Sequence, residues 1–142
     1  MATLINYMEK TMNKLQNFSA PVGRIFLAAI FIMSGLGKIT NYAGTQGYMD
    51  AMGVPGVMLP LVIILEVLGG IAIVAGYKAR IVAFLMAGFS ILSAIIFHAD
   101  FGDQTQLNMF LKNIAIAGGF FLIVAHGAGA YALDNRQTEI SQ

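Results

Sequence analysis

The segment Pro60–Gly76, PLVIILEVLGGIAIVAG, is apolar throughout except for a single carboxylate, Glu66. With Val57–Leu59 ahead of it, this run at 1.5 Å per residue crosses the roughly 30 Å hydrocarbon core of a bilayer. A carboxylate at that depth costs about 2.5–3.5 kcal/mol on insertion scales, so the fold must supply a partner for it. The whole chain carries 11% charged residues and a mean hydropathy of +0.76, where soluble domains carry about 25% charged residues. A membrane protein of one domain is therefore expected. A formal net charge of +1 over 142 residues gives no basis for a nucleic-acid partner. Cysteine is absent, which removes disulfides, thiolate nucleophiles and thiolate metal ligands. Residues 1–20 are too polar for a cleavable signal, and Arg24–Ile39 lacks a small-x-small cleavage site. The first apolar segment is expected to stay in the mature protein.

Hydrophobic periodicity then divides the chain. Residues 4–18 place Leu4, Met8, Met12 and Leu15 on one helical face and Lys10, Asn13, Lys14 and Asn17 on others. That fits a short amphipathic helix at the membrane surface, residues 1–20, with a frayed polar lead-in as the alternative. Pro21 reads as the first residue of span one, with Ser19 its cap. The spans fall at about 22–39, 57–76, 81–97 and 109–125, followed by a polar tail, 128–142, expected to be loose from Asp134 on. In span one Arg24, Phe31, Gly35 and Lys38 share a face, which should turn toward the bundle. Thr40–Gly56 reads as an interfacial loop with a short helix at Thr45–Met52 and with Tyr42 and Tyr48 at headgroup depth. Ala83, Ala87, Ser90, Ala94 and His98 form a stripe that lets another helix approach closely. The expected fold class is all-α: a four-transmembrane-helix bundle with an amphipathic N-terminal helix. Lys10, Lys14, Arg24, Lys78, Arg80 and Arg136 gather on the side of the termini, which the positive-inside rule makes cytoplasmic.

Helical side chains lean toward the N-terminus of their helix. Lys38 and His98, at the outer ends of spans one and three, therefore lean into the bilayer, while Glu66 leans outward to meet them. Glu66, Lys38, His98, Lys112 and Asn113 should form one polar pocket in the outer half of the bundle, with Asp100 at its mouth. Glu66 and His98 are the candidates for proton transfer. Lys38, Asp100, Lys112 and Asn113 are the candidates for substrate binding. Each has a plainer role: snorkelling for the two lysines, capping for His98, a structural ion pair for Glu66. Arg24 and Arg80 lie near the inner surface, where phosphate anchoring and topology account for them. His98, Asp100 and Glu66 have only generic spacing for a metal, and no metal is assigned.

The ordered pieces GRIFLAAIFIMSGLGKI, MGVPG, Glu66-x-x-Gly-Gly, Gly76-x-x-x-Arg80, HADF and FLKNIAIAGG resemble the DoxX family. The likeness covers about residues 22–127, and NYAGTQGYMDAMGVPGVMLPLVIILE is similar to enterobacterial inner-membrane members. It implies a four-helix protein of the bacterial cytoplasmic membrane, with Arg24, Gly35, Lys38, Pro55, Glu66, Arg80, His98, Asp100, Lys112 and Asn113 as the family positions. It also implies a component of a membrane redox system, in some members linked to quinone. A thiol relay, proposed for parts of the family, would need a partner's cysteines. No cofactor signature is evident: flavin, haem, iron–sulfur and dinucleotide patterns are missing. A redox role would then use a quinone or similar lipophilic small molecule, with electrons from a diffusible substrate or a redox partner subunit. The competing role is a non-catalytic assembly subunit, or a carrier of a small molecule or ion.

Overall fold

The structure, a computed structural model, describes residues 1–140, and its elements are all helical. Helix α1 spans Ala2–Thr40, α2 spans Tyr42–Ala51, and a 3-10 turn at Gly56–Met58 leads into α3, Leu59–Ala75. Helices α4 (Ala79–Phe97), α5 (Gln104–His126) and α6 (Leu133–Ile140) complete the described chain. Four of these segments are long and apolar enough to cross a membrane: α1, the turn with α3, α4, and α5.

Local chemistry explains the boundaries. Pro60 occupies the first turn of α3, where its missing N–H costs nothing. Gly76 ends that helix at φ +68°, and the bonds from Gly76 N to Ile73 O and from Tyr77 N to Ala72 O close a Schellman motif. Asp103 caps α5 by accepting from Thr105 N at 2.6 Å and Gln106 N at 3.3 Å, so this helix starts before the expected 109. Pro21 does not begin a helix. It lies inside α1, and Ser19 Oγ bonds back to Leu15 O at 2.7 Å instead of capping. The apolar period on both sides of Pro21 keeps one register, and the proline removes one internal hydrogen bond without breaking that continuity.

Two helix pairs build the bundle. Helix α1 packs along α3, α4 packs along α5, and α3 also meets α4. The stripe on α4 is buried as expected at Ala83, Ala87, Ser90 and Ala94. Between the pairs Phe31 meets Phe120 with centroids 5.5 Å apart and Phe89 at 6.3 Å. This aromatic contact closes the middle of the bundle. Small residues set how closely the pairs come together: a side chain added at Gly35 would lie 2.6 Å from Val67 Cγ2 and 3.2 Å from Glu66 Cβ.

The end that carries the termini is clasped by the chain itself. Arg24 is only 2% exposed, and its Nη2 donates to Ala130 O at 3.0 Å and Tyr131 O at 2.8 Å. Arg80 Nη1 donates to Val124 O and Ala125 O, among the last carbonyls of α5. Asp134 accepts from Lys78 N at 2.6 Å and Ala79 N at 2.9 Å, covering the start of α4. Both arginines thus serve the protein's own backbone; Arg24, being buried, is turned away from the headgroups where phosphate anchoring was expected, while Arg80 stays exposed. The tail, expected to be loose from Asp134 on, instead forms α6 there, with Asp134 docked on the start of α4.

Gly35→Ala is expected to destabilise the protein by about 1–3 kcal/mol, because the stiff β-branched Val67 has to move. Gly37→Ala, with nothing within 4 Å of the new methyl, should be close to neutral. Thermal unfolding of the two variants in detergent checks the difference.

Candidate functional site: a buried ion pair beside a cavity

Glu66 is buried at 3% exposure, and Lys38 reaches it from α1. The Lys38 ammonium sits astride the carboxylate, 2.9 Å from Oε1 and 2.8 Å from Oε2. Ser34, one turn before Lys38, joins the pair: Lys38 Nζ donates to Ser34 Oγ at 2.6 Å, and Ser34 Oγ donates to Glu66 Oε1 at 3.2 Å. Oε2 receives the ammonium's charge but no well-angled hydrogen bond among the described residues, so it keeps an acceptor position open. Gly35, on the same turn of α1, makes this possible by letting α3 come close at the level of Glu66. Attraction between the two charges offsets their desolvation only because they touch and share the hydroxyl.

The pair borders a cavity of about 450 Å³ between the two helix pairs, on the side of Phe31 away from the termini. Phe31 and Phe89 line its deep side, Val62, Leu92 and Ile116 its walls. Tyr48 of α2, stacked on Phe97 with centroids 5.4 Å apart, lies over it. Helix α2 is held there by its link to the next turn: Gly56 N donates to Asp50 Oδ1 at 2.7 Å, and Gln46 Nε2 donates to Gly56 O at 3.3 Å. Pro55 stands at this junction, where its carbonyl accepts from Met58 N and opens the 3-10 turn. Apolar walls with a few polar groups at one end make a ligand site in general terms.

The sequence-derived residues divide into three sets. Lys38 and Glu66 touch. His98, Lys112 and Asn113 line the same cavity without reaching the pair. His98 Nδ1 lies 2.8 Å from Gln106 Oε1, Asn113 Nδ2 donates to Met109 O, and Lys112 Nζ lies 3.0 Å from Met109 Sδ. Asp100 is apart from the cavity lining; its Oδ1 accepts from Gly102 N in the α4–α5 turn. Among the described residues no three His, Asp or Glu side chains come together as a metal site would need. Two contributors were not foreseen. Ser34 could have been found, because it lies four residues before Lys38 on the same helical face. Tyr48 could not, because α2 carries no periodicity that says which side faces inward.

These features define an integral membrane four-helix protein with a charge pair exposed to a cavity between its helix pairs. A family model described as DoxX matches residues 8–99. The chain belongs to the DoxX family. The inner membrane protein YqjF of Escherichia coli K12 is 51% identical over 123 residues, covering 87% of this chain and 95% of that one. Inner membrane protein YphA of the same strain is 38% identical over 122 residues, 81% of this chain and 87% of YphA. CatD of Bacillus subtilis strain 168, provisionally named an oxidoreductase, is 28% identical over 118 residues, 78% of this chain and 87% of CatD. No solved structure matches the chain.

Lys38→Met should destabilise the protein by about 3–5 kcal/mol, because it leaves a buried carboxylate without its cation. The double variant Lys38→Met/Glu66→Leu should recover most of that loss. Denaturant unfolding in mixed micelles measures both; equal losses in the two would show that a stranded carboxylate is not what destabilises the single variant.

Proposed function

We propose that this protein is the membrane component of a redox system of the bacterial inner membrane and that its cavity binds a quinone-class molecule. The observation that carries this is the placement of the Lys38–Glu66 pair on the border of a cavity whose walls are mainly apolar. A flat, lipophilic ring with polar carbonyl oxygens matches such a lining: apolar walls for the ring, Lys38, Lys112 and Asn113 as donors to the oxygens. Ser34 and Glu66 hold the Lys38 ammonium at the cavity edge. Conversion of a quinone to a quinol takes up two electrons and two protons. His98 and the Lys38–Glu66 pair are the groups placed to exchange the protons. The electrons would come from a partner subunit or a diffusible donor. The oxidoreductase name of CatD points the same way for a distant relative.

The excess of lysine and arginine near the termini supports a reading in which both termini are cytoplasmic. The cavity then lies in the outer half of the membrane. A reporter fused after Gln142 should read as cytoplasmic, and an external readout would invert this orientation.

Protein extracted in mild detergent should carry quinone that chromatography of its lipid extract detects. Lys112→Met, which leaves the ion pair intact, should lower the retained amount. Loss of one charge-assisted hydrogen bond is worth about 1.5–3 kcal/mol, roughly a ten- to hundredfold weakening. Absence of quinone from wild-type protein, together with no binding of added quinone analogue, would instead favour an assembly subunit or a carrier.

A further inference from the structure

Helix α1 has 39 residues, about 58 Å at 1.5 Å per residue, nearly twice the hydrocarbon thickness of a bilayer. Arg24 is already buried in the clasped end of the bundle, so the helix upstream of Ala20 runs beyond the bundle. Leu4, Met8, Met12 and Leu15 are exposed along it.

Register decides what covers them. At about 100° per residue, Leu4, Met8, Met12 and Leu15 fall in the same strip of roughly 80° as Phe26, Ile30 and Met33. Phe26 and Met33 are exposed on the membrane-spanning part of α1, where the surrounding medium is lipid, and Ile30, exposed as well, also borders the cavity. The buried residues Arg24, Phe31 and Gly35 lie on the opposite side. The apolar face of the extension is therefore the lipid-contacting face of span one carried past the end of the bundle.

A joint stands between the two halves. Pro21 lacks the N–H that would bond to Asn17 O, and its ring crowds that carbonyl, which opens the helix on the proline's own side. That side lies about 180° from Ile30, so the helix yields toward the lipid-facing strip. Ser19 Oγ bonded to Leu15 O weakens the preceding turn, and a methyl at Gly23 would meet nothing within 4 Å. A helix that leaves the membrane and bends toward its lipid-facing side lays that same side flat on the headgroup surface. Lys14 and Tyr7 then sit along one border of the immersed strip, at headgroup level.

We propose that Ala2–Ala20 is a membrane-surface arm, hinged at Pro21, that docks on phospholipid with Leu4, Met8, Met12 and Leu15 immersed. The occupant of the exposed strip is the lipid surface next to the protein's own bundle. Nothing in this depends on what the cavity binds.

The chain has no cysteine, so single labels report one site each. Full-length protein carrying nitroxide at Met8→Cys or at Asn17→Cys, on opposite sides of the helix, is placed in vesicles of mixed zwitterionic and anionic phospholipid. Power saturation compares the access of oxygen and of a water-soluble nickel complex to each label. The label at position 8 should favour oxygen several-fold over the label at 17, and Pro21→Ala should reduce that difference. Two equally water-exposed labels would overturn the arm. Spin–spin broadening at position 8 that disappears on dilution with unlabelled protein would assign the strip to a second copy and also overturn it. An unchanged profile in Pro21→Ala would overturn the hinge.

Discussion

A carboxylate in the hydrocarbon zone of a bilayer has to be matched by a cation, and here a lysine on the neighbouring helix makes the match. That requirement fixes more than one contact. Glu66 and Lys38 can touch only if α1 and α3 pack closely at that level, which Gly35 permits. Ser34, one turn before Lys38, ties the ammonium and the carboxylate together. The tightly packed α1–α3 pair and the α4–α5 pair then leave a cavity on the side of Phe31 where no side chain fills the gap. The charge pair is a condition for the fold and a feature of the cavity at once.

The other end of the bundle is secured by different means. There the chain returns on itself, and two arginines satisfy backbone carbonyls that the ends of the helices leave open. Asp134 covers the opening amides of α4 and adds a Coulombic attraction to the Arg24 guanidinium. Gly76 must be glycine on two counts. Its backbone is left-handed, and Arg24 and Ala132 occupy the space a side chain would need. A closed end with internal polar partners and an open end with a polar-edged cavity give the bundle a clear asymmetry.

Much of this was legible in the sequence because bilayers impose simple rules. Length and hydropathy located the four spans, small-residue spacing identified the buried face of α4, and the cost of a charge in lipid called for a partner to Glu66, with Lys38 among the candidates. What could not be read follows from separation along the chain. Arg24 reaches carbonyls more than a hundred residues away, and no local pattern distinguishes that from a lysine or arginine facing headgroups. Pro21 misled for a different reason. At a helix start and inside a continuous helix its sequence neighbourhood is similar, and only the shared register of the flanking apolar residues separates the two. His98 and Lys112 were placed at the right end of the bundle, but Gln106 and Met109 are nearer to them than Glu66. Helix rise predicts depth well and rotation poorly.

A dipolar recoupling measurement between the Lys38 side-chain nitrogen and the Glu66 carboxyl carbon, by solid-state NMR in lipid bilayers, tests the buried ion pair directly. Selective labelling of lysine and glutamate, with Lys38 and Glu66 variants for assignment, isolates the pair. Strong dephasing from a contact distance is the expected result. A Glu66 carboxyl that shows none, with the bundle intact, would mean that Lys38 and Glu66 do not pair in the membrane.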